Sequence, residues 1–291
     1  MNPIADSLLI WNISQVRGIN MISIIEVEAT SQGDGVIPFT GPFFRAAVLR
    51  SISSQDPLLA KALELSSKKI FVEALRKERK QMPCGSLEES VYIGSEYRGS
   101  IIIFNDNVIS DAIKSWIFKK PTITIKDIPF KVTSYMHQEI NILDFIQENP
   151  CRNFRLRFLT PTCFKRATSQ YCYLYPNPRL IVSSLASAWN ALSPKKGPET
   201  RLAATWADLS VVETGYELCT TKPVEMSGEK TFVGFMGWVN YKVIDHPEWH
   251  RSSHEEMAKW LATYLMFGEL IGVGYMRNMG FGRIKFEVKR K

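Results

Sequence analysis

Gly272-Val-Gly-Tyr-Met-Arg-Asn-Met-Gly-Phe-Gly282 is preceded by an amphipathic stretch, Ser252 to about Phe267, and followed by the alternating run Arg283-Ile-Lys-Phe-Glu-Val288. The spacing reads as helix, glycine loop, strand. Glycines 272, 274, 280 and 282 let the backbone take positive φ and approach other chain segments closely. Successive N–H groups in such a loop can form an anion-binding nest. A dinucleotide-binding fingerprint runs in the opposite order, strand first and helix last. No Gly-Lys-Ser/Thr occurs, so a nucleotide-binding P-loop is excluded as well.

Outward from this loop, the chain alternates strand-like and helix-like segments. Met21–Ala29 is β-rich and partly alternating, a first strand. After the loop Ser31–Gly35, Pro42 opens a helical pattern to Ile52, a residue suited to a first helical turn. Ser54–Pro57 starts a second helix through Leu65, and Ile70–Lys80 fits helix or strand equally. Val91–Gly94 and Gly99–Phe104 read as paired strands around a turn at Ser95–Arg98. Asn105 or Asp106 then caps an amphipathic helix ending at Lys119–Pro121, and Phe130–Met136 is strand-like. Beyond a linker at Asp144–Pro150 the pattern restarts. Asn153–Leu159 alternates as a strand and Arg179–Leu192 is a helix. Leu209–Cys219 and Lys230–Val243 form a strand pair, and the helix, glycine loop and last strand follow. This order predicts an α+β chain of two tandem ferredoxin-like (RRM-like) βαββαβ domains, residues 1–145 and 151–291.

Composition narrows the function classes. The 291 residues are 45% hydrophobic, as expected of a globular protein with a real core. No apolar run reaches the roughly 18–20 residues of a membrane span. Met1-Asn-Pro-Ile-Ala-Asp lacks the basic start and cleavage site of a signal peptide, so a cytoplasmic protein is expected. The five cysteines, 84, 151, 163, 172 and 219, form no C-x-x-C pair, which argues against a disulfide framework and a zinc site. A formal charge of +7 suits a polyanionic partner.

The glycine loop resembles the C-terminal signature of the RAMP proteins, and specifically of the CRISPR repeat-cleaving endoribonucleases. The similarity extends to Thr160-Pro-Thr162, the Pro178-Arg-Leu…Leu185…Trp189 helix and the Val233-Gly-Phe-Met-Gly237 strand. In the first half it takes in Ile37-Pro-Phe-Thr…Ile52, Glu96-Tyr-Arg-Gly99 and the helix from Asn105. The resemblance implies a protein that binds the repeat of a CRISPR transcript and cuts it once, without metal or other cofactor. The ribose 2′-OH attacks the adjacent phosphate, leaving a 2′,3′-cyclic phosphate and a 5′-OH. Such chemistry calls for a base, an acid and cationic support for the phosphorane.

Family members use a tyrosine, a histidine and a lysine for these roles. Here Leu49 or Arg50 falls at the tyrosine and Leu63 or Glu64 at the histidine, while Lys69 or Lys68 falls at the lysine. The catalytic candidates are therefore Lys69, Lys68 and Arg50. Holding the 2′-OH in line with the phosphate supplies much acceleration without an ideal base. The alternative is a non-catalytic RAMP subunit of a CRISPR effector complex. Other effector subunits and a second copy of the chain are the further partners this reading names. For RNA contact the candidates are Arg45, Lys165, Arg166, Arg277, Asn278 and Arg283, together with Gly272, Gly274, Gly280 and Gly282 of the loop. Phe43, Phe44 and Tyr275 are candidates to stack on bases, with core packing as the competing role.

His246, His250 and His254 recur at intervals of four, a spacing that stacks side chains on one helix face. Pro247 interrupts that spacing, and Ser252-x-x-Glu255 and Ser253-x-x-Glu256 read as capping boxes. A solvated or RNA-contacting loop is expected there rather than a metal site. His137, at a strand end, reads as structural.

Overall fold

The computed structural model describes residues 20–55, 70–77, 87–166, 168–169, 171–226 and 231–289. The expected second helix and the candidates Lys68 and Lys69 lie outside the described residues. The first half contains β1 (Met21–Ser31), β2 (Gly35–Ile37), α1 (Gly41–Gln55), β3 (Ile70–Arg76), β4 (Glu89–Val91) and β5 (Glu96–Phe104). It continues with α2 (Asn107–Phe118), β6 (Thr122–Ile125) and β7 (Ile128–Asn141). The second half holds β8 (Asn153–Thr162), β9 (Phe164–Lys165), β10 (Cys172–Tyr173), α3 (Pro178–Leu192), α4 (Thr200–Ser210) and β11 (Val211–Thr220). It ends with β12 (Val224–Glu225), β13 (Thr231–Phe232), β14 (Phe235–Val243), α5 (Arg251–Ile271) and β15 (Ile284–Val288).

Two antiparallel sheets carry the fold. Their strand orders are β3-β5-β1-β7-β6 and β11-β14-β8-β15. In each, the first strand of the unit lies centrally between the third and the fourth, and the second lies outside the third. That is the ferredoxin-like arrangement twice over, with the β6 hairpin added at one edge.

Two-residue periodicity explains how the first sheet is used. On β1, Ile25, Val27 and Ala29 join Phe44, Val48 and Ile52 of α1 and Ile109, Ile113 and Ile117 of α2 in one core. Ile22 and Ile24 point to the opposite face. There they share a second core with Leu185 and Trp189 of α3, Leu265 and Phe267 of α5, and Phe154 and Leu156 of β8. β5 is apolar without interruption from Ile101 to Phe104 because both of its faces are covered. Phe104 meets Phe267 edge-on at 6.0 Å. Fully burying one such side chain contributes roughly 1.5–3 kcal/mol. The helices α3 and α5 therefore lie between the sheets, and the second core is built by both halves of the chain.

Local chemistry accounts for several boundaries. Asp106 caps α2, its Oδ1 accepting from the Ile109 N–H at 3.1 Å. Pro178 opens α3 as its first residue. Several expectations need correction. The ambiguous segment is a strand, β3, and it is β3 that pairs with β5; β4 pairs with β2 instead. The β6–β7 hairpin and α4 were not anticipated. α4 buries mostly alanines, Ala203, Ala204 and Ala207, beside Trp206, and so lacks a strong apolar stripe. α5 begins after His250, with no side-chain cap, so neither serine forms the expected capping box. Cys219 is disulfide-bonded, against the expectation of unpaired thiols, while Cys151, Cys163 and Cys172 are free.

Candidate nucleic-acid interface

α5 ends at Gly272, whose φ of 76° turns the chain away while its N–H closes on the Gly268 carbonyl at 2.8 Å. The loop then threads between other backbones. A Cβ at Gly274 would lie 2.4 Å from the Cys163 carbonyl oxygen, and one at Gly282 would lie 1.9 Å from that of Val273. From the other side, a Cβ on Gly41, at the start of α1, would fall 2.0 Å from the Met279 carbonyl oxygen. The glycines are where they are because three chain segments meet at backbone contact.

These contacts use up the hydrogen bonds that a nest would offer. The Gly274 N–H donates to Ser184 Oγ at 2.9 Å, Gly280 to the Arg277 carbonyl at 3.1 Å and Gly282 to the Pro161 carbonyl at 3.0 Å. Thr160 Oγ1 donates to the Gly280 carbonyl at 2.9 Å and accepts from the Arg283 N–H at 2.9 Å. The expected anion nest is therefore not formed by Gly272, Gly274, Gly280 and Gly282; their role is to lock the loop in place.

The loop tip is a short 3-10 turn, Arg277–Met279, entered through Met276 in the left-handed region at φ 56°. Arg277 does not extend freely from it. Its Nη1 donates to the carbonyl and Oγ of Ser184 on α3, at 3.1 and 3.2 Å, and the guanidinium lies 6.0 Å from the Phe71 ring centroid. Burial pushes its pKa down to about 10, which leaves it charged at neutral pH. Phe71, Ala188, Leu192, Met276, Arg277 and Asn278 border a crevice of about 200 Å3 between α3, β3 and the loop.

The remaining cations divide sharply. Arg283 is withdrawn from any RNA role as a free charge: it bonds Glu73 and the Leu270 carbonyl. Arg45 is buried on α1, its Nε without a hydrogen-bond partner, and desolvation lowers its pKa. Arg50 is exposed on the same helix, its Nε donating to the Ala46 carbonyl at 3.3 Å. Lys165 and Arg166 are exposed beside the loop. Lys165 Nζ lies 5.7 Å from the Tyr275 ring centroid and Arg166 Cζ 4.0 Å from that of Tyr173. Phe44 is a core residue, not a base-stacking one.

His246 and the exposed His250 lie in the segment before α5, as expected, and no helix face stacks the three histidines. His254 is buried in the first turn of α5, where Nδ1 accepts from Trp206 Nε1 at 3.1 Å. His137 meets Ser23 Oγ at 2.7 Å, the structural role expected of it. Among the described residues no group of three or more His, Cys, Asp or Glu side chains is arranged to hold a metal ion. Sequence reading missed Ser184, which no local signal marks, and Tyr173. The latter sits in the aromatic run Tyr171-Cys-Tyr-Leu-Tyr175, whose alternation was there to be seen.

Residues 156–284 match the family model described as CRISPR-associated endoribonuclease Cas6. A curated CRISPR-associated endoribonuclease Cas6 of Mycobacterium tuberculosis is 31% identical over 136 residues, covering 47% of this chain and 39% of the relative. A Cas6 of Saccharolobus solfataricus is 24% identical over 204 residues, 63% of this chain and 66% of that one. The chain thus aligns with about two fifths of the length of the first of these relatives. Among solved structures, a Cas6 product complex superposes with a TM-score of 0.71 at 19% identity, covering 91% of this chain and 99% of the other. Thermus thermophilus Cas6 gives 0.64 at 17%, covering 92% and 98%. The matched residues take in α3, α5 and the glycine loop, so the second half of this chain is similar to the CRISPR-associated endoribonuclease Cas6 family, and the solved structures share its fold.

Proposed function

We propose that this protein binds the repeat RNA of a CRISPR transcript and cleaves it once, by attack of a ribose 2′-OH on the adjacent phosphate. The products are a 2′,3′-cyclic phosphate and a 5′-OH, and the step needs no metal. The observation that carries the reading is the glycine loop, held against α1, β3 and β9, with exposed Lys165 and Arg166 on the β9–β10 hairpin beside it and exposed Arg50 farther along α1. A surface of this kind fixes an RNA backbone by phosphate contacts. Lys69, Lys68 and Arg50 are assigned to cationic support of the phosphorane, with much of the acceleration coming from alignment of the 2′-OH. Arg45, a buried cation on α1 whose Nε has no hydrogen-bond partner among the described residues, is assigned to the same phosphate path.

We further assign residues 1–145 and 151–291 to two domains, supported by the separate hydrogen-bonding of β7 and β8 into different sheets. A cytoplasmic location fits an RNA substrate of this kind. No helix among the described residues is long and apolar enough to cross a membrane. Other CRISPR effector subunits or a second copy of the chain are the partners this role admits.

The test is single-turnover cleavage of end-labelled repeat RNA in EDTA, beside copies carrying a 2′-deoxy at each candidate position. Cleavage at one site, abolished by one deoxy substitution, is the expected result. Tight binding with every phosphodiester intact would replace this reading with the non-catalytic one, an RNA-holding subunit.

A further inference from the structure

The crevice between α3, β3 and the glycine loop has about 200 Å3 of room, and among the described residues Arg277 is the one charged side chain on its wall. Phe71, Ala188, Ala191, Leu192 and Met276 give the rest of that wall a largely apolar surface. A cation placed among such neighbours needs an acceptor.

The protein supplies acceptors for only part of the guanidinium. Nη1 donates to the Ser184 carbonyl at 3.1 Å and to Ser184 Oγ at 3.2 Å. Nε and Nη2 bond to nothing among the described residues, yet neither is sealed from solvent. No described carboxylate answers the charge either, since burial is the whole cause of the lowered pKa. Nε and Nη2 together form one of the two-donor edges of the guanidinium fork. That edge is held in place. Ser184 Oγ also accepts from the Gly274 N–H at 2.9 Å, so one serine fixes both the loop backbone and the side chain.

The complement of this wall is a flat group with apolar faces and two adjacent acceptors on one edge. Phosphate fits poorly, because its charged oxygens would lose water among apolar side chains and meet a single cation. A carboxylate has the acceptors but no broad face to cover Ala188, Leu192 and Met276. A nucleobase has both. Guanine presents O6 and N7 side by side and is the commonest bidentate partner of arginine, whereas adenine sets an N6 donor beside N7. A base can enter only from an unpaired segment, since a duplex keeps its bases stacked. We propose that this crevice receives an unpaired guanine of the bound RNA, read at O6 and N7 by Nε and Nη2 of Arg277. The inference rests on the RNA reading above and deepens it, adding a base-specific position to contacts that otherwise see only phosphates.

The experiment measures anisotropy of labelled oligouridylates carrying one central guanosine, inosine, 7-deazaguanosine or adenosine, with repeat RNA alongside. Inosine keeps O6 and N7, and 7-deazaguanosine lacks N7. Wild-type protein should bind the guanosine and inosine probes roughly tenfold more tightly than the adenosine probe, with 7-deazaguanosine between them. Arg277→Met should bind all four alike, at the wild-type level for adenosine. Ala191 is exposed at the rim, so Ala191→Phe fills the crevice without touching the guanidinium and keeps the test open if Arg277→Met does not fold. It should erase the preference too. Equal affinity of the wild type for guanosine and adenosine probes, or a preference that survives in either variant, would overturn the guanine site while leaving RNA binding in place. A wild-type protein that bound none of the probes would overturn it as well. Failure to bind repeat RNA besides would remove the RNA reading with it.

Discussion

Arg283, at the exit of the glycine loop, reaches Glu73 of β3 with Nη2 to Oε2 at 3.3 Å, and the two side chains are only 16% and 20% exposed. Ser100 Oγ donates to the same carboxylate oxygen and Arg76 pairs with the other at 3.0 Å. A single carboxylate of the first sheet thus anchors the last strand of the second.

Removing one partner of a largely buried ion pair strands the other. Glu73→Ala is expected to destabilise the protein by about 3 kcal/mol, and the double variant Glu73→Gln, Arg283→Met by much less. Urea denaturation midpoints of the two variants and the wild type decide it. A Glu73→Ala midpoint equal to the wild type would mean that the pair contributes nothing to joining the halves.

The glycine loop makes a graded prediction. Gly282→Ala introduces a methyl 1.9 Å from a carbonyl oxygen at φ +70°, and Gly94→Ala introduces one into open space at φ +81°. The first should cost roughly 2–5 kcal/mol and the second only about 1–2. Thermal melts of both variants test whether backbone approach, rather than φ alone, requires glycine in the loop. Equal losses would assign the whole effect to φ.

Ser184 accepts from the Gly274 N–H and holds Arg277. Ser184→Ala leaves the Gly274 N–H without its partner, at a cost of about 1–3 kcal/mol, while Arg277 keeps the backbone carbonyl of residue 184. The glycine loop should loosen, so RNA affinity should fall in the same variant. Wild-type stability and affinity together would show that the serine is dispensable to the loop.

His254 predicts a pH dependence. Burial lowers its pKa, and its Nδ1 must stay unprotonated to accept from Trp206. The unfolded chain then binds the proton more readily than the folded one. Stability from this site is fully present above the unfolded value, about 6.5, and is lost as pH falls toward the lower folded value. Melting temperatures from pH 8 to 5 should fall in the wild type and fall less in His254→Gln. Parallel curves would exclude the histidine as the source.

Lys69→Ala should slow single-turnover cleavage by roughly a hundredfold while leaving repeat RNA affinity within a few fold. Unchanged cleavage at saturating protein would take Lys69 off the catalytic list.

What the sequence determined by itself was periodic or conformational. Alternation fixed β1, β8 and β15, the 3.6-residue spacing of Ile109, Ile113 and Ile117 fixed α2, and four clustered glycines marked the place where backbones meet. These are local properties, since a residue's period and its allowed φ do not depend on distant partners. What only the tertiary structure decided was which side chains stay free. Nothing in the local sequence separates Arg277, Arg283, Lys165 and Arg166, each a cation beside apolar and small residues. Glu73, 210 residues away, takes Arg283, and Ser184, 93 residues away, holds Arg277. Lys165 and Arg166 lie instead over Tyr275 and Tyr173. Desolvation and pairing are set by neighbours that the fold brings in, so the same residue type becomes a strut in one place and an open charge in another.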